Sequence, residues 1–351
     1  MAAHKSRALI RCDLANLPVD VSQSGLMLLW NMTRKLERNM VGRMDTFGLS
    51  DIGLVRENNE DQFLIADLKK SVIIHQTSLS YDDETHLLGG SRAKLLLVAD
   101  GVGGGPDGDR ASRMAVQGIV QYLLNTMHWL FRLNDGREDA FLEDLKGALV
   151  FTQDKLQQHA ARMPSGEQMG TTITLAYIVW PQVYLIHVGD SRAYVFRDQE
   201  VIHLTHDQTY AQALVDAGIM QEADVRKSPL RHVLSGLVGC NPKSLTPEVS
   251  QFKLTLHDKL LLCTDGLTTD LTDAQIAAIL SDDASAEDAC HRLINAANDA
   301  GGRDNVTVVL AHFTDKAPEH LKRKEEVAGD KLATHMTAHE HMFSLGVGIR
   351  V

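Results

Sequence analysis

The stretch TTITLAYIVWPQVYLIHVGDSRAYVF, Thr171 to Phe196, decides the fold. It contains three runs rich in β-branched and aromatic residues. Trp180-Pro181-Gln182 divides the first two and Arg197-Asp198-Gln199 follows the third, so the runs read as strands joined in antiparallel hairpins. Several runs are apolar at successive positions, which requires both faces of a sheet to be covered. Working outward, KLLLVAD (Lys94 to Asp100), KLLLCTD (Lys259 to Asp265) and NVTVVLAHF (Asn305 to Phe313) read the same way. Asp109 to Leu133 and Glu138 to Arg162 have helical periodicity, and Asp273 to Leu280 and Ala286 to Ala300 make a second pair. The expected fold is α+β, with antiparallel sheets inside and helices outside.

The 351 residues, 44% hydrophobic and 23% charged, suffice for a large core without staples. The four cysteines, Cys12, Cys240, Cys263 and Cys290, form no CxxC pair, so neither a disulfide framework nor a zinc site is expected and a reducing cytoplasm fits. A formal charge of -11 excludes the basic face that nucleic acid demands. Met1 to Asp20 does not read as a signal peptide, and no apolar run approaches the roughly 20 residues needed to span a bilayer. A soluble monomer is expected.

Three segments stand outside the strand pattern. Residues 1–44 form an extension with a candidate amphipathic helix on Leu26, Leu29 and Trp30. Lys69 to Arg92 reads as a loose insertion too polar for a core. Residues 316–351 read as a polar tail, and the irregular spacing of His320, His335, His339 and His341 argues against a metal site there. The catalytic domain is expected over 45–315.

The chemistry lies in the acids. Asp100 in VADGVGGG, Asp190 in HVGDSR, Asp265 in CTDGLTTD and Asp304 in GGRDNVTVV each read as a carboxylate at the end of an apolar strand, followed by glycine or another turn former. One Asp-Gly is ordinarily a turn. Four such acids, with Glu60 and Asp61 in LVRENNEDQF, would repel one another at converging strand ends unless cations neutralised them. Oxygen ligands without Cys or His select hard ions such as Mg²⁺ or Mn²⁺. At Gly101 no side chain crowds a carbonyl that could ligate a metal, and Arg56, four residues before Glu60, offers a fork to phosphate.

In order and context, GLSDIGLVRENNEDQF, LLLVADGVGGG, MGTTITLAYI, VYLIHVGDSRAYVFRDQEVIHLTHDQT, LLLCTDGLTTDLTD and GGRDNVTVVL resemble the signature blocks of the metal-dependent type 2C Ser/Thr protein phosphatases, bacterial-type branch. The resemblance implies a four-layer α-β-β-α sandwich with a binuclear Mn²⁺ or Mg²⁺ centre at one end. Asp100 would bridge the two ions, the Gly101 carbonyl would bind one, Asp265 and Asp304 the other, and Glu60 and Asp61 would act through water. Asp190 would serve a weaker third ion. A metal-activated hydroxide would attack phosphoserine or phosphothreonine on protein substrates, with Arg56 on the phosphoryl group and a Ser/Thr kinase as the opposing partner. The segment 207–240 resembles a mobile flap that selects substrates. Two departures stand out: Val102 occupies a place where animal-type members carry histidine, and Thr269 a place that can hold an acid for the third ion, with Asp270 displaced by one. His187 reads as a buried structural residue. Two other functions remain to be weighed, a catalytically silent docking module on the same fold and a phosphatase of small-molecule phosphates.

Overall fold

Successive side chains of a strand point to opposite faces, and β3 (His86–Val102) uses both. Leu95 and Leu97 join one buried cluster, whereas Leu96 and Val98 join another. Both faces of the run Leu95–Ala99 are therefore covered, which is why it is apolar at successive positions. The computed structural model describes residues 44–73, 86–103, 106–125, 138–162, 169–239 and 245–314.

The remaining strands are β1 (Met44–Asp51), β2 (Asp61–Ile73), β4 (Gly170–Thr171), β5 (Ile173–Val179), β6 (Gln182–Val188), β7 (Arg192–Arg197), β8 (Glu200–His203), β9 (Val238–Gly239), β10 (Glu248–Lys253), β11 (Lys259–Cys263) and β12 (Val306–Phe313). One sheet runs β1-β12-β11-β7-β8; the other runs β10-β6-β5-β3-β4-β9, with β2 also on β3. Neighbours are antiparallel. The two hairpins expected in the opening stretch form. Val179 pairs with Gln182 across Trp180-Pro181, and Arg197 pairs with Glu200. Asp198 and Gln199 both take positive φ, 53° and 66°, as a two-residue turn between twisted strands requires.

Three apolar layers fill the sandwich. Helices α1 (Pro106–Asn125) and α2 (Glu138–Ala160) cover one sheet, with Ile119, Phe141, Leu145 and Leu149 against Leu97, Leu175 and Tyr184. Leu96, Ala176, Leu185, Val195, Leu262 and Val309 fill the space between the sheets. Helices α5 (Asp265–Asp270), α6 (Asp273–Leu280) and α7 (Ala286–Asp299) cover the other sheet. Each fully buried Leu contributes on the order of 2 kcal/mol, so the layers outweigh local propensity. The helices start where the sequence signals them: Thr272 and Gln275 close a capping box on α6, and the Ser285 side chain accepts from the Asp288 N–H on α7. The architecture is the expected α-β-β-α sandwich.

The supposed loose insertion needs correcting. β2 continues to Ile73 and β3 begins at His86, pairing Ile73 with His86 across a register shift between Lys69 and Ser71. A ladder is held by backbone hydrogen bonds, so polar side chains did not prevent it. Residues 74–85 lie outside the described residues, as do the N-terminal extension to 43, the end of the expected Asp109–Leu133 helix and the tail from 315.

Candidate active site

Because the strands are antiparallel, the ends of β3 and β11 and the starts of β2 and β12 meet at one edge of the sandwich. Asp61 opens β2 directly opposite Asp100 on β3. Asp265 opens α5 just after β11, and Asp190 lies in the turn between β6 and β7. Asp304 was expected at the end of a strand but precedes β12, and it meets the others because β12 pairs antiparallel with β11. One oxygen each of Asp100, Asp190 and Asp265 lies within 4.8 Å of the others. The Arg56 guanidinium reaches the rim and donates from Nη2 to Asp304 Oδ2 at 2.7 Å.

A polar scaffold that the sequence reading missed holds these acids. Thr264 Oγ1 donates to Asp61 Oδ2 at 2.8 Å and accepts from the Thr307 N–H at 2.9 Å. The Asp100 N–H donates to Thr172 Oγ1, which is joined to Ser191 Oγ at 2.7 Å. Asn305 binds three backbone groups of the preceding loop, the Glu60 N–H and the carbonyls of Ile52 and Asn58. That loop carries Arg56, so Asn305 aims it. Arg192 grips Asp207 with two bonds, 2.8 and 2.5 Å, fixing the start of the segment that follows β8. A hydroxyl lies beside an acid in CTD and near one in DNVT, but neither motif says which distant group the hydroxyl meets, and TTIT has no acid beside it.

Gly101 has a steric reason beyond the one expected. A Cβ there would collide with the Gly108 carbonyl, and a Cβ at Gly108 would collide with the Glu60 carboxylate. The pair lets the start of α1 press against the acid edge.

Crowding shapes the charges. Burial, with the neighbouring Asp265 and Asp304 adding to it, pushes Asp61 up to about 7, while the Thr307 and Thr264 hydroxyls pull the other way. Burial, then the charges of Asp61, Asp265, Asp190 and Asp304, raises Asp100 well above the carboxylate range. Asp190 is raised for the same reasons, burial first and Asp265 next. Asp61 Oδ1 is buried without a hydrogen-bond partner. An all-oxygen acid cluster in which Asp61, Asp100 and Asp190 resist ionisation, with one buried oxygen unsatisfied, fits hard divalent cations.

Asp270 turns away from the cluster: its carboxylate, only 3% exposed, lies 3.4 Å from Arg303 Nη1, and Thr269 offers only a hydroxyl. Asp190 thus has Asp100 and Asp265 as its acidic neighbours. His187 is buried as expected. Its Nε2 meets the His206 carbonyl at 3.1 Å and its Nδ1 meets Thr174 Oγ1 at 2.9 Å, and burial lowers it to about 4.

A four-layer sandwich with an all-oxygen acid cluster at the edge shared by both sheets defines a class of divalent-metal proteins. Within that class the chain belongs to the protein phosphatase 2C family, whose profile matches residues 74–311. It is 31% identical over 268 residues to the serine/threonine protein phosphatase PstP of Mycobacterium tuberculosis, covering 76% of this chain and 44% of PstP. The chain therefore spans less than half the length of that relative. The solved serine/threonine phosphatase of S. agalactiae matches with a TM-score of 0.63 and 27% identity, covering 78% of this chain and 100% of that one. The catalytic domain of PstP, solved in complex with 2 manganese ions, matches with a TM-score of 0.59 and 28% identity, covering 78% and 99%.

Proposed function

We propose that the protein hydrolyses phosphoserine and phosphothreonine on other proteins, using two Mn²⁺ or Mg²⁺ ions at the acid cluster. One observation carries the reading: Asp100, Asp190 and Asp265 bring carboxylate oxygens within 4.8 Å of one another at an edge where Arg56 also arrives. Asp100, the Gly101 carbonyl, Asp265 and Asp304 would hold the ions, with Glu60 and Asp61 acting through water and Asp190 serving a weaker third site. Such ions, when bound, acidify water and neutralise phosphoryl charge.

The chain's own residues do the rest. Arg56 presents its remaining N–H groups to the phosphoryl oxygens and orients them in line with the attack. Thr264, Thr172 and Asn305 keep the acids and the Arg56 loop in register, so little reorganisation is needed during reaction. Val102 carries no proton, so the leaving alkoxide takes its proton from water.

The segment 207–239 stands beside the cluster and would select substrates as a flap, and a Ser/Thr kinase would supply them. A reducing cytoplasm suits the free, buried Cys263 and Cys290. The test is hydrolysis of a phosphothreonine peptide and of p-nitrophenyl phosphate after EDTA stripping, with Mn²⁺, Mg²⁺, Ca²⁺ or Zn²⁺ added back. Restoration by Mn²⁺ or Mg²⁺ that Asp265→Ala abolishes is the expected result. Folded protein inactive with every ion would overturn the reading in favour of a docking module.

A further inference from the structure

The segment between β8 and β9 brings one imidazole to the acid cluster. It contains α3 (Tyr210–Asp216), α4 (Glu222–Val225) and a 3₁₀ turn at Pro229–His232. His232 ends that turn, and its Nδ1 lies 3.4 Å from Asp265 Oδ2. On the other side of the ring, Arg231 Nε donates to His232 Nε2 at 2.7 Å. Arg231 is itself anchored, with Nη1 on the Arg226 carbonyl, and Arg226 Nη2 donates to the Leu271 carbonyl at 3.1 Å.

This chain of contacts fixes the tautomer. A guanidinium can only donate, so Nε2 presents its lone pair and the proton of the neutral ring sits on Nδ1, facing the carboxylate. With that proton in place Nδ1 turns a polar N–H toward Asp265 Oδ2 at 3.4 Å, a contact longer than a hydrogen bond, and offers no lone pair as a ligand. Asp190, Asp265, Thr268 and Thr269 meet Arg231 and His232 around a cavity of about 60 Å³, so segment and acids share one enclosure.

We infer that His232 is a positioning residue for Asp265. Its Nδ1–H faces Oδ2 at 3.4 Å, and that attraction orients the carboxylate toward the ion site. Groups that orient a metal ligand in this way typically set ion affinity by about 10- to 100-fold. Because His232 belongs to the segment, docking of 207–239 and ion binding at Asp265 strengthen one another by the same factor. The inference rests on the reading of Asp265 as a metal ligand.

The experiment is Mn²⁺ titration by calorimetry on the full chain, for wild type, His232→Ala, His232→Asn and Asp265→Ala, with limited proteolysis of the segment at each Mn²⁺ level. The His232 side chain is 46% exposed, so its replacement leaves the core intact, which circular dichroism verifies. Expected is a Mn²⁺ affinity weakened about 10- to 100-fold in His232→Ala. His232→Asn, which keeps a donor near the Nδ1 position, should recover most of it. Mn²⁺ should protect the segment from protease in wild type and in His232→Asn but not in His232→Ala. Unchanged affinity in His232→Ala, or no recovery in His232→Asn, overturns the positioning role. Normal Mn²⁺ binding by Asp265→Ala overturns the ligand assignment beneath it, which separates the two failures.

Discussion

The acid edge and the 207–239 segment face each other but are built in opposite ways. The acids stand on strands whose neighbouring residues are sealed: Val98, Ala99, Cys263 and Thr264 are all 0% exposed. Thr264 and Thr172, whose hydroxyls bond Asp61 and the Asp100 N–H, and Asn305, whose amide bonds the Glu60 N–H, are all buried. The segment buries Ala211 and little else of its helices, and exposes Tyr210, Ile219, Leu230 and Val233. It is tied down by half-exposed polar contacts that water competes for. Under the proposed function, chemistry would use the first kind of construction and choice among substrates the second, at adjoining surfaces of one fold.

The sharpest way to break this contrast is to relieve the acid edge. Asp100→Asn removes a carboxylate held among four others and should abolish activity by at least about 10³-fold, the scale of losing a principal electrostatic element. The same change should raise the melting temperature of the metal-free protein by about 2 °C or more, since it deletes repulsion that only cations offset. Paired activity assays and thermal scans in EDTA check both. An active variant would refute the role of Asp100, and an unchanged melt would show that the crowding costs nothing.

A second test sets scaffold against segment. Thr264→Val deletes the hydroxyl on Asp61 Oδ2 and should weaken Mn²⁺ binding about 10- to 100-fold. Tyr210→Ala, 53% exposed on α3, should leave it unchanged. Equal effects in calorimetry would erase the distinction between the two regions.

Arg56→Ala probes the rim between them. The arginine is half-exposed and bonded to Asp304, so its loss should raise KM for a phosphopeptide about tenfold, as one charge-assisted contact of about 1.4 kcal/mol would. Mn²⁺ affinity should hold. A fall in affinity with unchanged KM would reassign Arg56 to metal support.

The same contrast governs what could be read from sequence. Strand-end acids announce themselves because an apolar run followed by Asp and a turn former is a local pattern, and Asp100, Asp190 and Asp265 all followed it. Asp304 was singled out by that rule but misplaced by it, since it precedes its strand and reaches the same edge because antiparallel pairing brings starts and ends together. The scaffold was illegible for the opposite reason. Thr264 reaches Asp61 across 203 positions and Asn305 reaches Glu60 across 245, and no local pattern encodes such a distance. The strand pairing of 69–73 with 86–92 was missed because backbone pairing leaves no apolar signature. His232 lay in a segment identified only by likeness, where nothing in SPLRHVLSG marks the histidine as facing an acid.

The smallest expected effect concerns how firmly the segment is tied down. His206, at its root, meets Asp216 on α3 at 2.8 Å, and Gln212 Nε2 reaches the other Asp216 oxygen. The bond to Asp216 lifts His206 above the ordinary histidine value, with Glu248 and Asp207 adding to it, and the bond to His206 lowers Asp216. A raised histidine contributes stability in full below its unfolded value near 6.5, and that contribution is lost as pH rises through the folded value. A lowered carboxylate contributes above its unfolded value near 3.9 and loses that contribution as pH falls through the folded value. The clasp is therefore complete between those two ordinary values and opens on the alkaline side. Both side chains are about half exposed, so screening keeps the effect small and added salt should shrink it further. Protease cleavage within 207–239 should rise a few-fold between about pH 6 and about pH 8.5, relative to His206→Gln cleaved under the same conditions. Parallel pH profiles for the two proteins would show that the clasp contributes nothing and that the segment is held by its other contacts, Arg192 on Asp207 among them.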